Sequence, residues 1–168
     1  PGPLRVEVVW GWERARNLSS NFAVDSWTLE AVEGHWWSDN GKEVVIRAAR
    51  EESWRVDGVQ EINYDSVQVQ YDGITLAGAQ ATFAPEAQKL VFANGIEGAD
   101  SLARFTAERA EVDIAAEQLL VLGEVSYRED EIELAAVEVV EDRSVRQLWA
   151  QGTPAVFVQG TRRITAPV

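Results

Sequence analysis

The residues best equipped for chemistry in this chain are its carboxylates. Glu51-Glu52, Glu129-Asp130-Glu131 and Glu141-Asp142 set acids side by side, and paired carboxyls flanking a sugar bond are the machinery of glycoside hydrolysis. All three clusters read as loops, where charge runs are solvated, so carbohydrate chemistry is an alternative here and not the expectation. His35 is the single histidine, and cysteine is absent. One imidazole without a thiolate or a second imidazole does not build a usual zinc site. Nothing around the serines resembles a nucleophile elbow that His35 would serve. Asp39-Asn40-Gly41 lacks the alternating oxygens of a calcium loop, which leaves only weak cation binding at the acidic clusters. Asn17-Leu18-Ser19 is a glycosylation sequon by pattern alone. No catalytic residue, metal ligand or cofactor is assigned, and the expectation is a protein that is not an enzyme.

Composition narrows the partners. The chain has 168 residues, 46% apolar and 26% charged, as suits one globular domain spanning 1–168. Acids outnumber bases 28 to 15, a formal charge of −13. Such a surface repels phosphate backbones, so nucleic acid is excluded as a partner class. No apolar run reaches the length of a membrane-spanning helix. Methionine is absent even at position 1, which reads as a mature or excised fragment whose signal peptide or membrane anchor has been removed.

The elements that must position these residues are strands with a skipped hydrophobic beat. Phe105 and Ala107 alternate, the rhythm slips by one, and it resumes at Ala110, Val112 and Ile114. Leu76 and Gly78, then Ala81 and Phe83, do the same 29 residues earlier; Ile132 and Leu134, then Val137 and Val139, are read as the third copy 27 residues later. Ile62 and Tyr64 precede another slip, with Val67, Val69 and Tyr71 after it, and Trp27 to Trp36 repeats it less cleanly. Side chains on a strand change face at every residue, so an extra residue exchanges the buried face and bends the strand from one sheet toward another. After two of the slips comes a short turn and a return strand, carrying Leu90 and Phe92 or Leu119 and Val121. Asn40-Gly41 and Asp72-Gly73 are hairpin turns, whereas Glu13 to Asn21 reads as polar and turn-like. Ala107 to Leu122 is also rich in helix formers, but its β-branched counterparts at 62–71 and 132–140 favour strand. The prediction is an all-β, repeat-built twisted jellyroll of two facing antiparallel sheets, with units near 22–58, 59–73, 74–103, 104–129 and 130–160.

Seven tryptophans stand at 10, 12, 27, 36, 37, 54 and 149. Trp36 and Trp37 must face opposite ways on a strand, which predicts one buried and one exposed ring.

Three segments, Thr75 to Phe83, Phe105 to Asp113 and Leu119 to Val125, carry a resemblance to the OstA-like β-jellyroll family, the periplasmic proteins LptA and LptC of lipopolysaccharide transport. They resemble its recurring unit of leu-thr-ala-x-x-ala-x-apolar-asp followed by leu-x-leu-x-gly-x-val. The likeness is strongest over 60–128; the acidity and the Trp-rich N-terminal third depart from it. It implies a periplasmic, non-enzymatic carrier that holds lipopolysaccharide acyl chains between its sheets. The lining would come from Ile62, Tyr64, Val67, Val69, Tyr71 and Leu76, from Phe83, Leu90, Phe92 and Phe105, and from Val112, Ile114, Leu119 and Val121. Ile132, Leu134, Val137 and Val139 would complete it. If the sheets lie in contact, the same residues are ordinary core. The resemblance also implies pairing with other envelope jellyrolls, or with copies of itself, through edge strands carrying Val6, Val8 and Trp10 at one end and Val156 and Val158 at the other. Physics supports this in part, because repeats that stack only on neighbours leave unpaired terminal edges. A structural or adaptor β-domain without lipid cargo is the rival reading.

Overall fold

Alternation over 5 to 14 residues punctuated by turn residues gives strands throughout, and the computed structural model, which describes residues 4–8, 11–21, 26–152 and 155–166, is all-β. In chain order these are β1 (Leu4–Val8), β2 (Gly11–Ala15), β3 (Asn17–Asn21), β4 (Ser26–Trp37), β5 (Glu43–Val56), β6 (Val59–Tyr71), β7 (Ile74–Ala84) and β8 (Lys89–Ala99). They continue as β9 (Ala103–Ala107), β10 (Arg109–Asp113), β11 (Gln118–Glu129), β12 (Ile132–Asp142), β13 (Gln147–Gln151), β14 (Ala155–Gln159) and β15 (Arg162–Ala166). No helix occurs among the described residues, so the helical alternative for 107–122 is wrong. The reason is period: every second residue is buried, Ala110 and Val112 along β10 and Leu119 and Val121 along β11.

All strands belong to one antiparallel sheet that forks. The first part of β4 pairs with β3 and the second with β2. At the other end, β12 pairs with β14 through its first part and with β13 through its last. Between these ends β8 and β11 each pair with both β9 and β10. The result is two half-sheets that share their long strands across a crease. One half runs from β3 to β13, the other from β1 and β2 to β14 and β15.

The skipped beats make the crease. Ala31, Ser66, Asn94 and Glu124 all take positive φ, between 42 and 64°, and pairing is interrupted around each. At Ala31 and Ser66 a single such residue breaks the alternation, whereas on β8 and β11 a second one, Gly95 or Gly123, adjoins it and the alternation keeps its phase from Phe92 to Ile96 and from Val121 to Val125. Leu29 and Val32 are thus both interior, as are Tyr64 and Val67. The third copy of the slip is corrected by the structure. Leu134, Ala136 and Val139 are buried, whereas Val137 is 55% exposed and points outward. The skip lies between 136 and 139, which restores the 29-residue spacing seen at 78/81 and 107/110. Alanine at 136, small enough to read as neutral, hid it.

The hairpins keep the same step. Turns 85–88, 114–117 and 143–146 each end on a positive-φ residue, Gln88, Glu117 and Arg146. Asp72-Gly73 has positive φ at both positions, as a two-residue hairpin demands, and Gly41 does so after Asn40. The polar stretch 13–21 is not a turn: it forms the end of β2 and all of β3, strands that sit near the periphery and need few apolar residues.

Candidate functional site

The space between the half-sheets is where a carrier of this shape would hold a guest. Over most of its length the protein's own side chains occupy it. Ile62, Tyr64, Val67, Val69, Tyr71, Leu76, Phe83, Leu90, Phe92, Phe105, Val112, Ile114, Leu119 and Val121 are buried in one continuous core with Trp36 and Ile46. A cavity lined by Trp36, Val44, Phe83 and Ile114 holds only about 10 Å³, at the lower limit for a single water molecule. As predicted, Trp36 is buried and Trp37 exposed.

Toward the C-terminal end the interior changes character. At the crease, where earlier strands carry Tyr64 and Phe92, the residues are Ala107, Ala110, Ala136 and Ala150, while Phe105, Tyr127 and Phe157 carry rings in the half-sheet that ends in β15. At the 29-residue steps Phe83 and Val112 are followed by Glu141, a partly buried carboxyl whose pKa burial raises. Directly opposed residues share a face, so Leu148, opposite Glu141, and Ile164, opposite the core-packed Phe157, both face inward. They are nonetheless 38% and 59% exposed. The inner surface is therefore open at a mouth between β13 and β15, while Ile132 and Leu134 line its wall on β12, half-buried and buried.

A polar clasp closes the seam opposite the crease, joining turns of one half-sheet to turns of the other. Lys42 Nζ lies 2.8 Å from Glu117 Oε2 and 3.1 Å from Asp72 Oδ2. Asn40 Nδ2 donates to Glu117 Oε1 at 2.8 Å, and Gln88 Nε2 to Asp39 Oδ2 at 2.7 Å. Arg143 donates to the Asp72 carbonyl at 2.8 Å and pairs with Glu141 at 3.0 Å. The hydrogen bond to Glu117 holds the Lys42 pKa above its usual value.

The expected edge residues fall differently. Val6 and Val8 lie in β1, the first strand of its half-sheet, opposite Glu13 and Gly11; Trp10 is outside the described residues. Val156 and Val158 are not on an edge, because β14 is paired on both sides. The strand beyond it is β15, which pairs with β14 and is the last described strand of that half-sheet, returned by a turn at Gly160.

Two features escaped the sequence. Glu51, read as a loop residue, is fully buried in β5, and Glu13 joins it from β2. Burial first and the Glu51 charge second push the Glu13 carboxyl up to about 9; burial also raises Glu51, despite a 3.2 Å hydrogen bond from Trp27 Nε1. Glycine at 34 makes the room, since a Cβ there would lie 3.0 Å from Trp36 Nε1 and 3.4 Å from Glu13 Cγ. The second feature is a concavity of about 850 Å³ on the outer face of the half-sheet that ends in β15. Its floor is a cross-strand row of Glu97, Thr106, Ser126, Ala135 and Val156, and its rim carries Arg104, Arg128 and Arg163. Only the strand register places these arginines together.

No family model matches the chain, and no curated protein does. Among solved structures it is similar to LptH of Pseudomonas aeruginosa, an LptA-homologous periplasmic component of the lipopolysaccharide transport device. The two share 11% sequence identity and a TM-score of 0.57, covering 74% of this chain and 94% of LptH. The chain thus has the LptA-type β-jellyroll fold.

Proposed function

We propose that this protein is a non-enzymatic carrier module of a cell envelope, working in a periplasm, that takes acyl chains of a lipopolysaccharide-like lipid between its half-sheets. The observation that carries this reading is the mouth, where Leu148 and Ile164 face inward yet stand exposed. Each methylene buried there gains about 0.8 kcal/mol without any directional contact, which suits a guest that must slide onward. The small side chains behind the mouth give way more easily than the aromatic core, so loading begins at β13 to β15 and advances by parting the seam. Terminal strands β1 and β15 then offer unpaired backbone to another jellyroll, or to a second copy.

Displacement of a fluorescent fatty-acyl probe tests this. The expected result is saturable uptake that Leu148→Glu or Ile164→Glu abolishes while leaving the melting transition in place. Absence of saturable uptake sinks the carrier reading. The filled core specifically favours the second reading, an adaptor β-domain without cargo, and sedimentation velocity would then still show self-association rising with concentration.

A further inference from the structure

We propose that the outer concavity is a binding site for a phosphomonoester dianion, held by Arg104, Arg128 and Arg163. This goes beyond the carrier reading and stands without it, since the site is on the opposite face of the sheet from the acyl-binding space.

Arg104 on β9 and Arg128 on β11 are directly opposite each other, an arrangement that destabilises a sheet when nothing lies between the charges. The chain has 28 acids for 15 bases, so partners are abundant. Arg128 finds one in Glu133, but Arg104 and Arg163 form no ion pair among the described residues. Three arginines against two glutamates, Glu97 and Glu133, make this concavity a positive spot on a molecule of charge −13. Two unpaired guanidiniums are neutralised by one phosphomonoester, which carries close to two charges at neutral pH; a carboxylate leaves one uncompensated. The planar guanidinium fork also matches phosphate oxygens two at a time.

The floor fits the rest of such a ligand. Thr106 and Ser126, opposite each other, supply hydroxyls that donate or accept, and no large side chain stands between them and the rim. A sugar or glycerol bearing the phosphate can therefore lie against the sheet. A soluble sugar phosphate and a lipid headgroup both present this group, and the chemistry recognised is the same.

Calorimetric titration of the full chain with glucose 1-phosphate, and with vesicles containing phosphatidic acid against phosphatidylcholine alone, tests the assignment. Saturation by glucose 1-phosphate supports a soluble source, and saturation only by phosphatidic acid vesicles supports a headgroup. Arg104→Gln should weaken either by about tenfold, the worth of one charge-assisted hydrogen bond, without lowering the melting temperature. Glu97→Gln should tighten it a few-fold. Arg55, equally unpaired but on the other half-sheet, is the control: Arg55→Gln should change nothing. No saturation up to about 10 mM, or equal losses in Arg55→Gln and Arg104→Gln, would overturn the proposal.

Discussion

The two ends of the same interior are built on opposite plans. At the N-terminal end Trp27, Trp36 and Tyr64 surround the Glu13 and Glu51 carboxyls, and the large side chains leave almost no room. At the C-terminal end alanines line the crease, Glu141 stands at the step where Phe83 and Val112 are apolar, and the last inward side chains, Leu148 and Ile164, meet solvent. Backbone pairing is equally regular at both. The difference teaches that strand register sets the shape of such a ribbon, whereas side-chain volume alone decides whether its interior is a core or a cleft.

The largest expected effect contrasts volume at the two ends. Phe92→Ala, in the filled region, should cost about 3–5 kcal/mol in chemical denaturation, and Leu148→Ala at the mouth under about 1 kcal/mol. Equal costs would erase the distinction. Next, Val158→Pro should cost about 1–3 kcal/mol, because β14 is bonded on both sides and proline removes a ladder donor. An effect confined to self-association, with stability intact, would return Val158 to an edge.

The acid pair gives a pH signature that belongs to the closed end. Glu13 holds its proton up to about 9 when folded, against an ordinary 4.5, so between those values the folded state binds more protons than the unfolded one. Its contribution is complete below about 4.5 and falls away as pH rises toward about 9. Wild type should therefore lose melting temperature relative to Glu13→Gln over that range, and parallel curves would show the pair to be exposed in solution. The smallest effect concerns register: Val137→Ser should stay within about 0.5 kcal/mol, whereas Leu134→Ala beside it costs about 2 kcal/mol or more.

Much of the fold was legible because a strand's period is short and its interruptions recur. Phe105, Ala107, Ala110 and Val112 announce a crease without any structure. Val137 misled because valine looks interior wherever it stands, and only its exposure at the break in pairing with β11 shows that it points out. The mouth was invisible because it depends on where β13 and β15 end up relative to each other, and Leu148 and Ile164 look like core to any reading of polarity. Glu51 was placed in a loop because its nearest acidic neighbours are solvated; the partner that makes its burial tolerable, Glu13, is 38 residues away in sequence and reached only through β4. The arginines at 104, 128 and 163 share no motif at all.

The turns ending on Gln88 and Glu117 have a consequence for size. Because the chain arrives at each in the same orientation and leaves on the same face, the molecule is a ruler graduated in whole β-modules. Excising residues 89–117 should splice one graduation to the next, with Leu119 seated where Leu90 was, and yield a shorter ribbon of unchanged cross-section. Reach across a compartment would then be set by how many graduations a gene encodes, independently of what the ends are made to grip.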